Sequence, residues 1–273
     1  MPFAHLNNHT IHYTDIPPDP STPSTTTTAS KTLLFIHGLG STQNYFLPLT
    51  PHLSQHRLII FDNYGAGRSS YTHNTETSIP LIARDALSLL DHLSIPQAIA
   101  IGYSMGGMLP TYLAASSPSR ITGAICIGPV HPSASVSAVF AQRIPTVRAG
   151  GMESMANTIP SSATGERATA LQKAFIREML LSQDPAGYIA NCRAIETAEP
   201  PVYADVKVPV LIIAGRQDKS APLPACEYIL SQLGSDCRRK RLEVLDGVGH
   251  WHCVEAPDEV GALVAGFVGE LDR

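Results

Sequence analysis

A serine in a glycine-flanked turn is the first feature of this sequence that could do chemistry. The apolar run Ala98-Ile99-Ala100-Ile101 leads into Gly-x-Ser-x-Gly at 102–106, and an apolar helical pattern follows. A sharp turn is needed there, and glycine removes the collisions that side chains beside Ser104 would make with the crossing strand and helix. The pattern predicts that Ser104 is a nucleophile above the end of a strand. The alternative is a glycine turn that only tightens a strand–helix junction.

A serine hydroxyl is a poor nucleophile at neutral pH, so it needs a base, which an acid then orients. Of the 11 histidines, His250 is the best candidate, because its glycine-flanked loop follows one apolar run and precedes the last helical pattern. His252 is the nearest competitor, and a metal site of His250, His252 and Cys253 is a weaker alternative without further partners at zinc spacing. Asp218 follows another apolar run, so we predict that its carboxylate orients His250. An exposed loop carboxylate is the alternative.

A tetrahedral intermediate would also need backbone amides to hold its negative oxygen. His37-Gly38-Leu39-Gly40 ends an earlier apolar run, a place from which a loop amide commonly reaches such an oxygen. We therefore predict an amide of this loop as one donor and the N–H group of Met105, the residue after Ser104, as the other. His37 and Gly38 are predicted to contact the substrate, with buttressing of the loop as the alternative for His37.

The other apolar runs are short, end at turn residues and alternate with helical patterns. Continuous apolar runs suit strands that are covered on both faces, as in a parallel sheet. Their alternation with helices indicates an α/β fold with a mostly parallel, doubly wound sheet. The predicted strands are 11–14, 33–36, 58–61, 98–101, 121–127, 210–213 and 242–245, and the predicted helices are 79–93, 105–115 and 260–271.

Residues 131–201 break this alternation, because they hold amphipathic helical stretches and no convincing strand. We predict that they form a helical cap inserted into a core domain of residues 1–130 and 202–273. Ligands of open α/β sheets bind at the carboxyl ends of the strands, so the cap would cover the site.

A cap would also supply side chains to a substrate pocket. Its arginines could each pair with a substrate carboxylate through two parallel hydrogen bonds, and surface salt bridges are the alternative. These arginines are Arg143, Arg148 and Arg193. Tyr103 and Trp251 adjoin the predicted nucleophile and base, so they are predicted, with Arg143, to contact the substrate.

Composition and charge exclude several classes of protein. The chain is 44% apolar and 15% charged with a net charge of −4, so it has no electrostatic reason to bind nucleic acid or an anionic membrane. No apolar run approaches the roughly 20 residues that span a bilayer. No signal peptide is visible, and five cysteines without CxxC spacing favour reduced thiols, so we expect a cytoplasmic protein.

Cofactor motifs are also missing from the sequence. Neither a phosphate loop nor a dinucleotide-binding glycine motif follows a predicted strand, so we expect no cofactor and no metal. The expected partners are a small-molecule substrate and water, and the sequence does not indicate the oligomeric state. Residues 17–30 are rich in Pro, Ser and Thr and are predicted to be a mobile polar loop.

Together these motifs resemble the α/β-hydrolase superfamily over residues 31–270. The superfamily order of nucleophile, acid and base is Ser, Asp, His, as here. The usual register of the superfamily's His-Gly loop implies that the loop donor to the negative oxygen is the N–H group of Leu39. Cap segments 143–152 and 179–188 resemble those of 3-oxoadipate enol-lactonases, although the aromatic-rich stretch usual after the first segment is absent. The motifs behind the superfamily resemblance are 37–40, 62–69, 102–107, 215–218 and 249–251.

The resemblance implies hydrolysis of an ester or lactone through an acyl-enzyme. The candidate substrates are an enol-lactone, another lactone or ester, and a secondary metabolite. Carbon–carbon hydrolysis of a β-diketone and perhydrolysis use a similar site and stay open. Haloalkane dehalogenation and epoxide hydrolysis are disfavoured, because both need a carboxylate at the position of Ser104. A ligand-binding receptor on the same fold is the alternative outside enzymes.

Overall fold

The computed structural model describes residues 2–21, 30–73, 75–237 and 239–271. Most of the stretch predicted as a mobile polar loop, from residue 22 to residue 29, lies outside the described residues. None of the described helices combines the length and the hydropathy that crossing a membrane requires.

Eight strands of the described chain form one sheet, in the order β1-β2-β4-β3-β5-β6-β7-β8. The first two strands pair antiparallel, β2 also runs antiparallel to β4, and every later pairing is parallel. The predicted α/β fold with a mostly parallel sheet is therefore confirmed. The strands are β1 Phe3–Leu6, β2 His9–Ile16, β3 Thr32–Ile36, β4 Arg57–Phe61, β5 Ala98–Tyr103, β6 Ile121–Ile127, β7 Val210–Gly215 and β8 Lys240–Leu245.

Helices connect the parallel strands and cover both faces of the sheet. In the described chain, α1, α2 and α7 pack on one face, and α9 packs on the other with a 3₁₀ segment at Gln43–Leu53. The helices are α1 Ile79–His92, α2 Leu109–Ser116, α3 Ala134–Ala156, α4 Ile159–Ser162, α5 Ala170–Leu181, α6 Pro185–Glu196, α7 Leu223–Gln232, α8 His252–Glu255 and α9 Pro257–Glu270.

Strand β7 shows why the apolar runs of the sequence are continuous. Val210 and Ile212 belong to the core beneath α1, α2 and α7, whereas Leu211 and Ile213 belong to the core beneath α9. All four side chains have no exposed surface. Burial of each such side chain stabilises the fold by about 1.5–3 kcal/mol, so both faces of the strand need apolar residues.

The hairpin of β1 and β2 was only half predicted, because the pattern of β1 is too short to recognise. Its turn places Asn7 and Asn8 at φ values of 48° and 70°. Asparagine tolerates this left-handed conformation better than most residues other than glycine. The 3₁₀ segment at Gln43–Leu53 was also missed, since Pro48 and Pro51 interrupt any helical pattern.

Helices α3 to α6 follow one another between β6 and β7, and α3 packs against α5 and α6. Helix α3 kinks at Gly151, whose φ is 61°. These helices occupy the stretch predicted as a cap, and the assignment of 131–201 to a subdomain of its own stays a prediction.

The turn between β5 and α2 passes very close to the end of β3. A Cβ atom on Gly106 would lie 2.1 Å from the carbonyl oxygen of Ile36 and 2.5 Å from that of His37. One on Gly102 would lie 2.0 Å from the carbonyl oxygen of Gly106. No side chain fits at these distances, so glycine at 106 lets the turn approach the end of β3, and glycine at 102 lets the turn fold back closely on itself.

We predict that Gly106→Ala lowers the free energy of unfolding by about 3 kcal/mol, because the added methyl group overpacks the turn against backbone atoms. The matched control is Gly266→Ala in α9, where an added Cβ meets no atom within 4 Å. That change should raise stability by about 0.5–1 kcal/mol, since glycine weakens a helix interior. Urea unfolding of both variants measures the difference, and an unchanged stability of Gly106→Ala would contradict the close approach.

Candidate active site

Ser104 sits in the turn after β5 with a φ of 57°. A serine in this left-handed region is strained, and such strain persists only where the surroundings hold the residue in place. The Ser104 amide donates to the carbonyl of Ile127 at 3.0 Å, while its carbonyl accepts from the amides of Gly107 and Val130 at 2.9 and 3.2 Å. These bonds hold the turn so that the hydroxyl group stands at the carboxyl edge of the sheet.

The structure brings the three predicted polar side chains into one hydrogen-bonded line. The Oγ atom of Ser104 lies 2.8 Å from Nε2 of His250, and Nδ1 of His250 lies 2.8 Å from Oδ2 of Asp218. A carboxylate accepts the proton of Nδ1, which leaves the lone pair of Nε2 facing the serine hydroxyl. The other oxygen of Asp218 accepts the amides of Ser220 and Ala221 at 2.8 and 2.9 Å.

The charge of Asp218 is stabilised in a buried position. Burial by itself raises the pKa of this carboxyl group, but the attraction of His250 and its hydrogen bond, together with His252 and the Ala221 amide, outweigh burial. The pKa of Asp218 therefore lies below its ordinary value, and the group is a carboxylate at neutral pH.

His252, the other candidate for the base, is not part of the chain of hydrogen bonds that joins Ser104, His250 and Asp218. Its Nδ1 donates to the carbonyl of His250 at 2.7 Å, and its Nε2 lies 3.8 Å from Oδ2 of Asp218. Burial lowers the pKa of His252 to about 4, so its ring is neutral at pH 7. Across the described ranges, no group of three His, Cys, Asp or Glu side chains could hold a metal ion.

The amides of Leu39 and Met105, predicted as oxyanion donors, flank the nucleophile. Leu39 lines the same cavity as Ser104, and Met105 follows the nucleophile in the turn. In the part of the chain that the structure describes, neither amide donates to a carbonyl or side chain. Gly38 brings the two segments together, since a Cβ on it would lie 2.7 Å from that of Ser104.

The structure corrects the predicted substrate contact of His37. Its ring is fully buried, with Nδ1 2.8 Å from the carbonyl of Gly38 and Nε2 accepting the amide of Asn63 at 2.9 Å. Burial lowers the pKa of His37, which favours the neutral ring that this acceptor role requires. Because protein atoms occupy both ring nitrogens, His37 buttresses the loop, and Gly38 packs against the turn rather than lining the cavity.

A cavity of about 480 Å³ lies between Ser104 and the helices α3 and α4. Tyr103, Arg143 and Trp251, which were predicted as substrate contacts, all line it. Apolar side chains form most of its wall, so it suits a substrate with a hydrocarbon body. The other lining residues are Leu39, Val130, Ser135, Val136, Val139, Phe140, Ile159, Ser162, Ala163, Lys219, Ser220, Pro222 and His250.

Two positively charged side chains, Arg143 and Lys219, are among the residues that line this mainly apolar cavity. The guanidinium group of Arg143 lies 4.7 Å from the ring centre of Phe140, and its Nη1 donates to the hydroxyl of Tyr188 at 3.4 Å. Lys219, which the sequence analysis overlooked, directly follows Asp218 in the chain and reaches the same cavity. Its position next to Asp218, the predicted acid, is the feature of the sequence that could have indicated its place near the site. Arg148 and Arg193 do not line the cavity.

Comparison with known proteins extends the similarity beyond the site. A family model described as the alpha/beta hydrolase fold matches residues 31–165. The chain is 29% identical to 3-oxoadipate enol-lactonase 2 of Acinetobacter baylyi over 82% of this chain and 84% of that protein. It is 25% identical to the 2-hydroxy-6-oxononadienedioate/2-hydroxy-6-oxononatrienedioate hydrolase of Escherichia coli over 87% of each chain.

A solved structure shares the whole fold. The enol-lactonase from Burkholderia xenovorans LB400 matches with a TM-score of 0.84 and 24% identity, over 98% of this chain and 100% of that chain. At this identity the structural match bears on the fold, whereas the two sequence relatives bear on the activity, which is hydrolysis in both. The chain is therefore a hydrolase with the α/β-hydrolase fold that resembles the 3-oxoadipate enol-lactonases.

Proposed function

We propose that this protein hydrolyses a carboxylic ester or lactone, with Ser104 as nucleophile, His250 as general base and Asp218 as its orienting acid. The observation behind the proposal is the unbroken line of two 2.8 Å contacts from the serine hydroxyl through the imidazole to the carboxylate. These distances lie within the range required for proton transfer between a nucleophile and its base.

The first half of the reaction acylates Ser104. As its oxygen attacks the substrate carbonyl carbon, its proton passes to Nε2 of His250, and the imidazolium is stabilised by Asp218. The carbonyl oxygen becomes negative and is held by the amides of Leu39 and Met105, for which the described residues offer no competing acceptor. Such a donor contributes about 3–4 kcal/mol to transition-state stabilisation. Acylation is complete when the tetrahedral intermediate collapses and His250 donates its proton to the leaving oxygen, which departs from an ester but stays tethered to the acyl chain of a lactone.

The second half releases the acyl group. The neutral imidazole takes a proton from water, whose oxygen attacks the acyl carbon. Collapse of the second tetrahedral intermediate returns the proton to Ser104 and releases the carboxylic acid product.

The cavity supports a substrate that carries both a hydrocarbon body and a carboxylate. Val136, Val139 and Phe140 of α3 supply apolar wall, and Arg143 lies one helical turn after Val139 on the same wall. The names of the two relatives, 3-oxoadipate enol-lactonase and the dienedioate hydrolase, both contain dicarboxylates. We propose that Arg143 pairs with a substrate carboxylate.

Ser104→Ala tests the nucleophile. We expect kcat for p-nitrophenyl acetate to fall by about 10⁶, because no other group replaces the attacking oxygen. A fluorophosphonate should label the native protein and leave this variant unlabelled. The control Ser116→Ala, at the exposed end of α2, should keep both activity and labelling. If Ser104→Ala keeps most of the activity, the nucleophile is another group, and an unlabelled native protein would favour the receptor alternative.

Arg143→Gln tests the carboxylate contact. A hydrogen bond to a charged group contributes about 1.5–3 kcal/mol, so we expect KM for a p-nitrophenyl hemisuccinate to rise about 10–100-fold with kcat little changed. KM for the neutral p-nitrophenyl acetate should stay within about twofold, because that substrate has no carboxylate to lose its partner. Arg148→Gln, further along α3 and outside the cavity, is the matched control. Equal effects on both substrates would point to a general disturbance of the cap and contradict the contact.

A substrate panel separates the reactions that the site could perform. p-Nitrophenyl esters, a lactone and a β-diketone are compared by kcat/KM with the native protein. We expect the esters and the lactone to be turned over faster. A β-diketone turned over faster than both would replace ester hydrolysis by carbon–carbon hydrolysis at the same three residues.

A further inference from the structure

A buried carboxylate lies behind the loop that presents His250. Glu255, at the end of α8, is 5% exposed. Its Oε2 accepts the amides of Gly249 and Gly165 at 2.9 and 2.7 Å, and its Oε1 accepts the amide of Trp251 at 2.9 Å. One side chain therefore holds the backbone on both sides of His250 and a third amide that belongs to the cap.

Two further bonds hold the backbone of His250 itself. Its amide donates a hydrogen bond to the carbonyl of Ala163 at 2.7 Å, and its carbonyl accepts a hydrogen bond from Nδ1 of His252. With Glu255 binding the amides on either side, three consecutive amides from 249 to 251 have fixed acceptors. The position of the imidazole is therefore set by the loop backbone as well as by Asp218.

The same bonds join the cap to the base. Ala163 accepts from His250, and Gly165 donates to Glu255, so the segment 163–165 is bonded to the loop at two points. The two backbones are in close contact, since a Cβ on Gly249 would lie 2.4 Å from the amide nitrogen of Gly165. Ala163 also lines the cavity. The cap wall and the catalytic base thus share one hydrogen-bonded unit.

We propose that Glu255 is a positioning residue, which sets the imidazole of His250 against Ser104 and fastens the cap segment 163–165 to the loop of the base. This inference rests on the proposed hydrolysis by Ser104, His250 and Asp218. Glu255 does not touch the substrate or the reacting atoms. It acts through the backbone of residues 249–251, and its effect is on the rate of the chemical step.

The chemistry of a carboxylate suits this role better than that of the isosteric amide. An ionised carboxylate accepts through both oxygens and donates nothing, so it can satisfy three amides at once. In Glu255→Gln, the NH₂ group must face either the amide of Trp251 or the amides of Gly249 and Gly165. In either orientation an N–H group of the glutamine side chain faces a backbone N–H group, and that buried backbone amide loses its acceptor.

The test compares Glu255→Gln and Glu255→Ala with the native protein. A displacement of about 1 Å at a catalytic group can cost about 10²-fold in rate. We therefore expect kcat for p-nitrophenyl acetate to fall about tenfold in the Gln variant and about 100-fold in the Ala variant. The main effect should fall on kcat, because the imidazole of His250 takes part in the chemical step; KM should change less, through the lining residues Ala163 and Trp251 whose segments Glu255 also holds.

Glu259→Gln is the matched control for these variants. Glu259 lies four residues further on and pairs with Arg167 across the same boundary between cap and core, but it accepts no amide of residues 249–251. The kcat of the Glu259→Gln variant should equal that of the native protein. Each kcat is divided by the concentration of active sites titrated with a fluorophosphonate, so that a partly unfolded preparation does not imitate a slower enzyme. Native turnover per titrated site in Glu255→Gln would overturn the proposal and leave Glu255 a purely structural residue.

A second measurement does not depend on catalysis. The proton between Nδ1 of His250 and Asp218 should give a low-field proton NMR signal, identified by its absence in His250→Gln. We expect this signal to shift or broaden in Glu255→Gln and to stay unchanged in Glu259→Gln. An unchanged signal in Glu255→Gln would refute the positioning role. A changed signal in a protein whose Ser104→Ala variant retains activity would refute the proposed function while leaving the positioning role intact.

Discussion

The line of hydrogen bonds from Ser104 through His250 to Asp218 depends on the close approach of the nucleophile turn to the end of β3. Because only glycine fits at 102 and 106, the turn can hold Ser104 at a φ of 57° and lift its hydroxyl above the sheet. The parallel strands then bring the loops after β7 and β8 to the same edge, where Asp218 and His250 meet the hydroxyl. A looser turn would leave those loops in place without the Ser104 hydroxyl beside them.

Two buried carboxylates hold His250 in different ways. Asp218 faces the imidazole of His250 and has its second oxygen bonded to two amides, whereas Glu255 accepts three backbone amides around it. A buried charge is tolerated only where hydrogen bonds or opposite charges replace its lost hydration. Each carboxylate meets that requirement with groups of the catalytic loops, so the stability of the fold and the geometry of the site depend on the same bonds.

The helical stretch between β6 and β7 contacts the site in two ways. Its segment 163–165 is bonded to the loop of His250, whereas α3, which kinks at Gly151, supplies apolar side chains and Arg143 to the cavity. Relatives whose names give different substrates match most of this chain. The α3 side chains that line the cavity are separate from the bonds that hold the loop of His250, so the two parts of the site belong to different segments.

The sequence by itself determined the doubly wound sheet and the sharp turn that carries Ser104, because continuous apolar runs and the glycines around Ser104 are local patterns. The order of Ser104, Asp218 and His250 along the chain could also be read without coordinates. Only the tertiary structure revealed Lys219 in the cavity wall and the acceptor role of Glu255, and only it decided between the two roles that the sequence left open for His37, substrate contact and loop buttress. Those roles arise where loops distant in sequence converge, and no periodicity or spacing within a single segment encodes such convergence.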